Sequence, residues 1–254
     1  VVQLPQLVAE LGERPFVFSI QEEIRSEDEY QILLTGLKKQ MSGCIIYDEF
    51  HSLPSYDQMD SASYFLRRSG ADIIIAVTTP ALQAVLNRTS NIPIVFVLVA
   101  DPVAAGAGSS DTDHLPNVTG SYVALDAEGA IALLKECIPG VRRLGTLFVP
   151  SEINSILYKD TLDKAARAVG LELVALASAT SAEVPDAAMA LASQDIDVIC
   201  QIADNLHNVA FSSIANAAKS HKKPIFGFST SVVRDGLAIA TTARDFEQGG
   251  ADSA

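Results

Sequence analysis

Blocks of consecutive apolar residues alternate with amphipathic segments along almost the whole chain. Ile73 to Val77 and Ile92 to Ala100 are unbroken and rich in β-branched residues, the pattern of parallel strands buried on both faces. Between them, Thr78-Thr79-Pro80 reads as a helix start, with Thr79 as N-cap and Pro80 at the first helical position. Upstream, Phe16 to Ile20 and Cys44 to Tyr47 are strand candidates. Glu27 to Gln40 and Tyr56 to Arg68 have helical spacing, the second ending at Ser69-Gly70. Val1 to Gly12 fits neither pattern. Ala104 to Pro116 is a loop rich in Gly, Ser and Asp, and Asn117 to Val123 reads as a short strand leading out of this first unit.

The alternation then starts again. Helices are expected at Asp126 to Ile138, Ile153 to Val169, Val184 to Ser193 and Leu206 to Ser220. Strands are expected at Leu144 to Val149, Leu171 to Leu176, Ile196 to Ile202, Pro224 to Phe228 and Leu237 to Thr241. Ser229-Thr230-Ser231 reads as a polar turn, and Phe246 to Gly250 as the start of another element. Two successive βαβα runs imply an α/β protein of two doubly wound, parallel-sheet lobes with a ligand cleft between them. The expected division is residues 1–121 with 243–254 as one lobe and 122–242 as the other.

In such sheets ligands sit beyond the carboxyl ends of the strands. That rule singles out Thr78, Thr79 and Asp101 from the first lobe. From the second it singles out Asn154, Ser155, Asp204, Asn205 and the turn residue Ser229. The competing reading is that the threonines only cap a helix and Asp101 only starts a turn. A ligand carboxylate would suit the N–H groups and hydroxyls of the Thr78-Thr79-Pro80 turn, and a ligand ammonium would suit Asp204 or Asp101. Phe18, Tyr122, Phe148 and Phe228 lie at or near strand ends and are candidate pocket walls beside their ordinary role as core.

Composition narrows the chemistry. A net charge of −13 with 18 scattered basic residues excludes a phosphate-contacting nucleic-acid binder. Cys44, Cys137 and Cys200 are far apart beside apolar residues and read as small core residues without metal or disulfide spacing. His51, His114, His207 and His221 have no pairing suited to a metal, and no GxSxG elbow, Walker loop or complete dinucleotide fingerprint occurs. Gly106-Ala-Gly108 lacks the third glycine. No cofactor is called for, and no nucleophile with its base is visible. No apolar run reaches membrane-spanning length, and the chain opens without a leader pattern, as a mature secreted part also would. The acidic stretch Glu22 to Glu29 reads as a solvated helix start.

The segments Ile75-Ala-Val-Thr-Thr-Pro-Ala81, Asn91-Ile-Pro-Ile-Val-Phe96, Ala100-Asp-Pro-Val103 and Asn117-Val-Thr-Gly120 carry a likeness. So do Leu133 to Pro139, Asn154-Ser155, Asp204-Asn205, Pro224-Ile-Phe-Gly227 and Gly236. In this order and spacing, over residues 16 to 250, the chain resembles the ABC transporter substrate-binding protein family of the tryptophan/tyrosine type. The resemblance implies a type I periplasmic binding fold and a non-enzymatic receptor, periplasmic or held outside the membrane. It implies capture of a small amino-acid-like or aromatic ligand for ABC permease subunits. It also implies ligand contacts at Thr78, Thr79, Asp101, Asn154, Ser155, Asp204 and Asn205. The sequence departs at Phe228-Ser229-Thr230-Ser231, where many members carry an acid, and it lacks the closing helix that follows the position of Gly249. A trimmed domain or part of a longer protein is therefore expected. The alternatives are a ligand-sensing domain of a larger signalling protein and an enzyme of the doubly wound class.

Overall fold

The computed structural model describes residues 16–21, 31, 32, 35, 45–47 and 71–243. The expected helix from Tyr56 to Arg68, most of that from Glu27 to Gln40, the element at Phe246 to Gly250, Cys44, His51 and the stretch Val1 to Gly12 lie outside the described residues, as does the side chain of Phe18. The chain divides into two compact units, Val1–Ala124 with Asp245–Ala254 and Leu125–Arg244.

The sheet of the first unit contains β1 (Phe16–Gln21), β2 (Ile45–Tyr47), β3 (Ile73–Val77), β4 (Ile94–Val99) and β5 (Val118–Tyr122) in the order β2-β1-β3-β4-β5. All its pairings are parallel. Every residue of β3 and β4 is buried, as two-faced apolar runs require. Helix α1 (Thr79–Leu86) lays Leu82 and Val85 against Ile74, Ile94 and Phe96. β5 is an edge strand of this sheet, and the chain leaves the unit just after it, at Ala124. Leu98 has φ 58 and the β4–β5 register shifts between Phe96 and Val99, a bulge that places one extra residue on β4.

The second unit repeats the winding with β6 (Arg143–Phe148), β7 (Glu172–Ala177), β8 (Val198–Cys200), β9 (Ile225–Gly227) and β10 (Ala240–Thr241). Their order is β10-β9-β8-β6-β7, again parallel throughout. Its helices are α2 (Ala127–Cys137), α3 (Ile153–Ala168), α4 (Val184–Ala192), α5 (Asn205–Val209), α6 (Phe211–Ser220) and α7 (Thr230–Arg234). Leu147, Leu191, Ile199, Phe211, Ile214 and Ile225 lie in its principal core cluster. At Gly145 a Cβ would meet Ile196 Cδ1 at 2.5 Å and Leu191 Cδ1 at 3.1 Å, so only glycine lets β6 pass these side chains. Among the described residues no helix is long and apolar enough to cross a membrane.

Several local expectations need correcting. The helix from Leu206 to Ser220 is two helices broken at Ala210. Asn205 and His207 are both buried but two apart, which one continuous helix face cannot serve, whereas Phe211, Ile214, Ala217 and Ala218 follow helical spacing. The Ser229 turn opens α7, with Ser229 Oγ accepting from the Ser231 N–H. The last strand shrinks to two residues because the Leu237 and Ala238 N–H groups both donate to the Val232 carbonyl, closing the turn after α7. Cys137 is exposed at the end of α2, while Cys200 is buried in β8.

Candidate functional site

β6, the first strand of the second unit, has β7 on one side and β8 on the other, so the winding reverses between β6 and β8. Loops at such a switch point diverge and leave a crevice. The loop after β6 ends at Glu152, with Asn154 and Ser155 in the first turn of α3, and the loop after β8 carries Gln201 and Asp204, with Asn205 opening α5. Glu152 joins them: its Oε2 accepts from the Asn205 N–H at 3.1 Å and from Asn154 Nδ2 at 3.4 Å. The structure thus brings together four predicted site residues 49 to 51 positions apart in sequence.

Within each pair the two members do different work. Ser155 and Asp204 face inward. Ser155 Oγ accepts from the Val149 N–H at 2.8 Å and donates to Asp204 Oδ2 at 2.8 Å. Asp204 Oδ1 caps α5 by accepting from the His207 N–H at 2.8 Å, and Oδ2 lies 2.7 Å from His207 Nδ1. His207 Nε2 is in turn 2.7 Å from Ser178 Oγ, just past β7. Facing a carboxylate oxygen, Nδ1 carries a ring proton that it donates to Asp204, and Nε2 lies against the Ser178 hydroxyl. Asp204 has 0% and Ser178 2% of its surface exposed. The chain has the connectivity of a hydrolytic triad, yet its serine is closed to any substrate. It braces the ends of β6, β7 and β8 against one another.

Asn154 and Asn205, one residue along from the bracing pair in each case, are buried with a side-chain atom left over. Among the described residues, Asn154 Oδ1, Asn205 Nδ2 and Gln201 Oε1 find no hydrogen-bond partner. The other Gln201 amide atom, Nε2, donates to Asn208 Oδ1 at 2.7 Å. A buried polar atom without a partner costs roughly 1–3 kcal/mol, so three around one switch point mark where a polar partner is wanted. Ser229, past β9, pairs with Ser231 Oγ at 2.7 Å.

In the first unit the expected cap is corrected. Thr78, not Thr79, is the N-cap of α1, at φ 84 and ψ 161, and makes no side-chain capping bond. A β-branched residue is strained at positive φ. Thr79 is the first helical residue and its Oγ1 accepts from the Ala100 N–H at 3.1 Å, fastening α1 to the end of β4. Asp101 is half-buried, and its Oδ1 accepts from the Val103 and Ala104 N–H groups at 2.9 and 3.0 Å, stiffening the following turn. Among the aromatic candidates, Phe228 is buried edge-on to Phe226 and Phe148 lies 5.1 Å from Lys159 Nζ. Tyr122 is exposed. Among the described residues no three His, Cys, Asp or Glu side chains are grouped to hold a metal.

Glu152, Gln201 and His207 were not among the expected site residues. The signal for Glu152 was an acid directly before a helix start. For His207 it was its place three residues after Asp204, one helical turn on.

Doubly wound parallel units with polar residues gathered at a switch point define a binding protein of the type I periplasmic fold. The chain belongs to the family of ABC transporter substrate binding proteins, whose model matches residues 43–253. A tyrosine-binding protein of Clostridioides difficile is 33% identical over 177 residues, 70% of this chain; the chain spans 51% of that relative's length. Of solved structures, the ABC domain in complex with L-Trp from Streptococcus pneumonia has a TM-score of 0.86 at 23% identity, covering 94% of this chain and 82% of that one. A conserved domain protein from Vibrio cholerae has a TM-score of 0.82 at 30% identity, covering 95% and 82%. A ligand-free, open substrate binding protein with adhesive properties from Clostridium difficile has a TM-score of 0.63 at 26% identity, covering 94% and 82%.

Proposed function

We propose that this chain is the ligand-capturing part of an extracytoplasmic receptor that delivers a small amino acid with an aromatic side chain to an ABC permease, without turning it over. The observation that carries this reading is the set of three unpartnered buried amide atoms. Asn154 Oδ1 and Gln201 Oε1 are acceptors suited to a ligand ammonium, and Asn205 Nδ2 is a donor suited to a ligand carboxylate. Together they fit a zwitterionic head group better than a simple aromatic acid. Ser155 and Asp204 serve by holding these amides in place. Thr78, Thr79 and Asp101 of the first unit, and Ser229 of the second, are further proposed contacts. The tyrosine- and tryptophan-binding relatives support the aromatic side chain.

Differential scanning of the purified protein with tyrosine, tryptophan, phenylalanine and their des-amino analogues tests this. At about 100 times its dissociation constant the right ligand adds about 2.7 kcal/mol of stability. At least one aromatic amino acid should raise the melting temperature, its des-amino analogue should not, and Asn205→Ala should weaken the response. Consumption of a compound, or equal response to the analogue, overturns the reading.

A further inference from the structure

The first unit contains a cavity of about 260 Å³ that none of the proposed ligand contacts lines. It runs along β5 from Val118 to Tyr122 and is also lined by Pro102 and Val103, the two residues after Asp101. Phe96 and Val118 are buried apolar lining, and glycine at 120 lets β5 lie close against Phe96, because a Cβ there would strike the Phe96 ring and carbonyl. The opposite wall is an ordered loop: the Leu115 N–H donates to the Ala107 carbonyl at 2.8 Å and the Ser109 N–H to the Asp113 carbonyl at 2.8 Å. The wall therefore exists before anything binds.

Three properties say what would fill it. The volume falls below the roughly 300–1,000 Å³ of sites that enclose a whole organic ligand, and is nearer the scale of one large side chain. The apolar lining also reaches the surface: Val103 and Tyr122 line the cavity and are exposed, Tyr122 by 53%, and Leu115, next to the lining residue His114, is exposed as well. An exposed tyrosine beside an apolar socket is the composition of an interface centre. Charge supplies the third property. Between Arg88 and the end of this stretch of the unit at Ala124 no lysine or arginine occurs, while Asp101, Asp111 and Asp113 do. Asp111 lines the cavity, and Asp113 is exposed two residues on.

We propose that this face of the first unit docks a protein partner that inserts one apolar side chain, flanked by lysine or arginine, into the cavity beside β5. None of the proposed ligand contacts lines this cavity, and the proposal stands whether or not the amino-acid reading holds. The acidic rim steers the partner, and the apolar socket holds it.

The test uses the whole chain, ¹⁵N-labelled, titrated with the capped peptide acetyl-Gly-Lys-Phe-Lys-Gly-amide and read at the amides of Val103, His114, Val118 and Tyr122. Saturable shifts confined to this patch are expected. They should weaken in high salt, which screens exposed charges, and fall about two- to fivefold with Asp111→Asn. They should disappear with Val103→Asp, an exposed position at which folding is preserved, as its unchanged circular dichroism would verify. A glutamate-for-lysine peptide should not bind. The proposal is overturned if that peptide binds equally, if acetyl-phenylalanine-amide alone binds as tightly, which would make this a small-molecule pocket, or if no shift appears up to the solubility limit.

Discussion

Removing the Asp204 carboxylate separates a bracing role from a ligand-contacting one. In Asp204→Ala three donors lose their acceptor at once: the Ser155 hydroxyl, the His207 ring Nδ1–H and the His207 backbone N–H. All three belong to residues with 1% exposure or less, so water does not replace the lost partner. Each buried orphan costs roughly 1–3 kcal/mol; because the three share one site and relax together, the sum is smaller than three independent losses, about 3–5 kcal/mol. That is a large share of the roughly 5–15 kcal/mol holding a folded domain. Asp204→Asn behaves differently. Its Oδ1 still caps α5, the Ser155 hydroxyl can rotate to accept, and His207 can change tautomer so that Nδ1 accepts while Nε2–H donates to Ser178. The cost should be only about 1–2 kcal/mol. Urea unfolding followed by far-ultraviolet circular dichroism in the absence of ligand measures both. Ala within about 1 kcal/mol of the parent, or Asn as damaging as Ala, would refute the bracing chain.

Two further outcomes follow from the same unit. The Asp197 carboxyl is held below its usual range because Oδ2 accepts from the Arg143 and Arg142 N–H groups at 2.8 and 2.7 Å. A lowered folded-state value stabilises above the unfolded-state value and is lost as pH falls through the folded one, so Asp197→Asn should flatten the loss of urea stability on acidification below about pH 4. Burial pushes the Cys200 thiol up to about 12, whereas Cys137 is exposed. Native protein treated with N-ethylmaleimide near neutral pH should therefore carry label on Cys137 and not on Cys200 by peptide mass mapping, and labelling of Cys200 in folded protein would contradict its placement in β8.

The parallel sheets were legible because β3 and β4 are apolar on both faces, a signal that does not depend on the rest of the chain. The breaks were less so. Nothing in the residue types from Leu206 to Ser220 says that His207 turns inward; its partners Ser178 and Asp204 decide that, and Ser178 is 29 residues away. Thr79 was misread for the same reason. Locally its hydroxyl suits a cap, but the Ala100 N–H, 21 residues on, takes it. For the site, the Asn154-Ser155 and Asp204-Asn205 pairs stood out by their place after strands, yet which member braces and which presents an amide depends on packing. Glu152 was passed over because an acid beside a turn ordinarily faces water; only the fold buries it under the Asn205 N–H.

The Ser178, His207 and Asp204 chain also bears on how enzymes are recognised. A search that scores three side chains by type and separation would match it to a serine hydrolase, since both links are 2.7 Å. What such a search omits is a route for the scissile bond to reach the hydroxyl and a donor set for the oxyanion. Here the same three residues act as a rivet. In the receptor proposed above, which would hold a metabolite without consuming it, the most reactive-looking serine of this unit's switch point is sealed in.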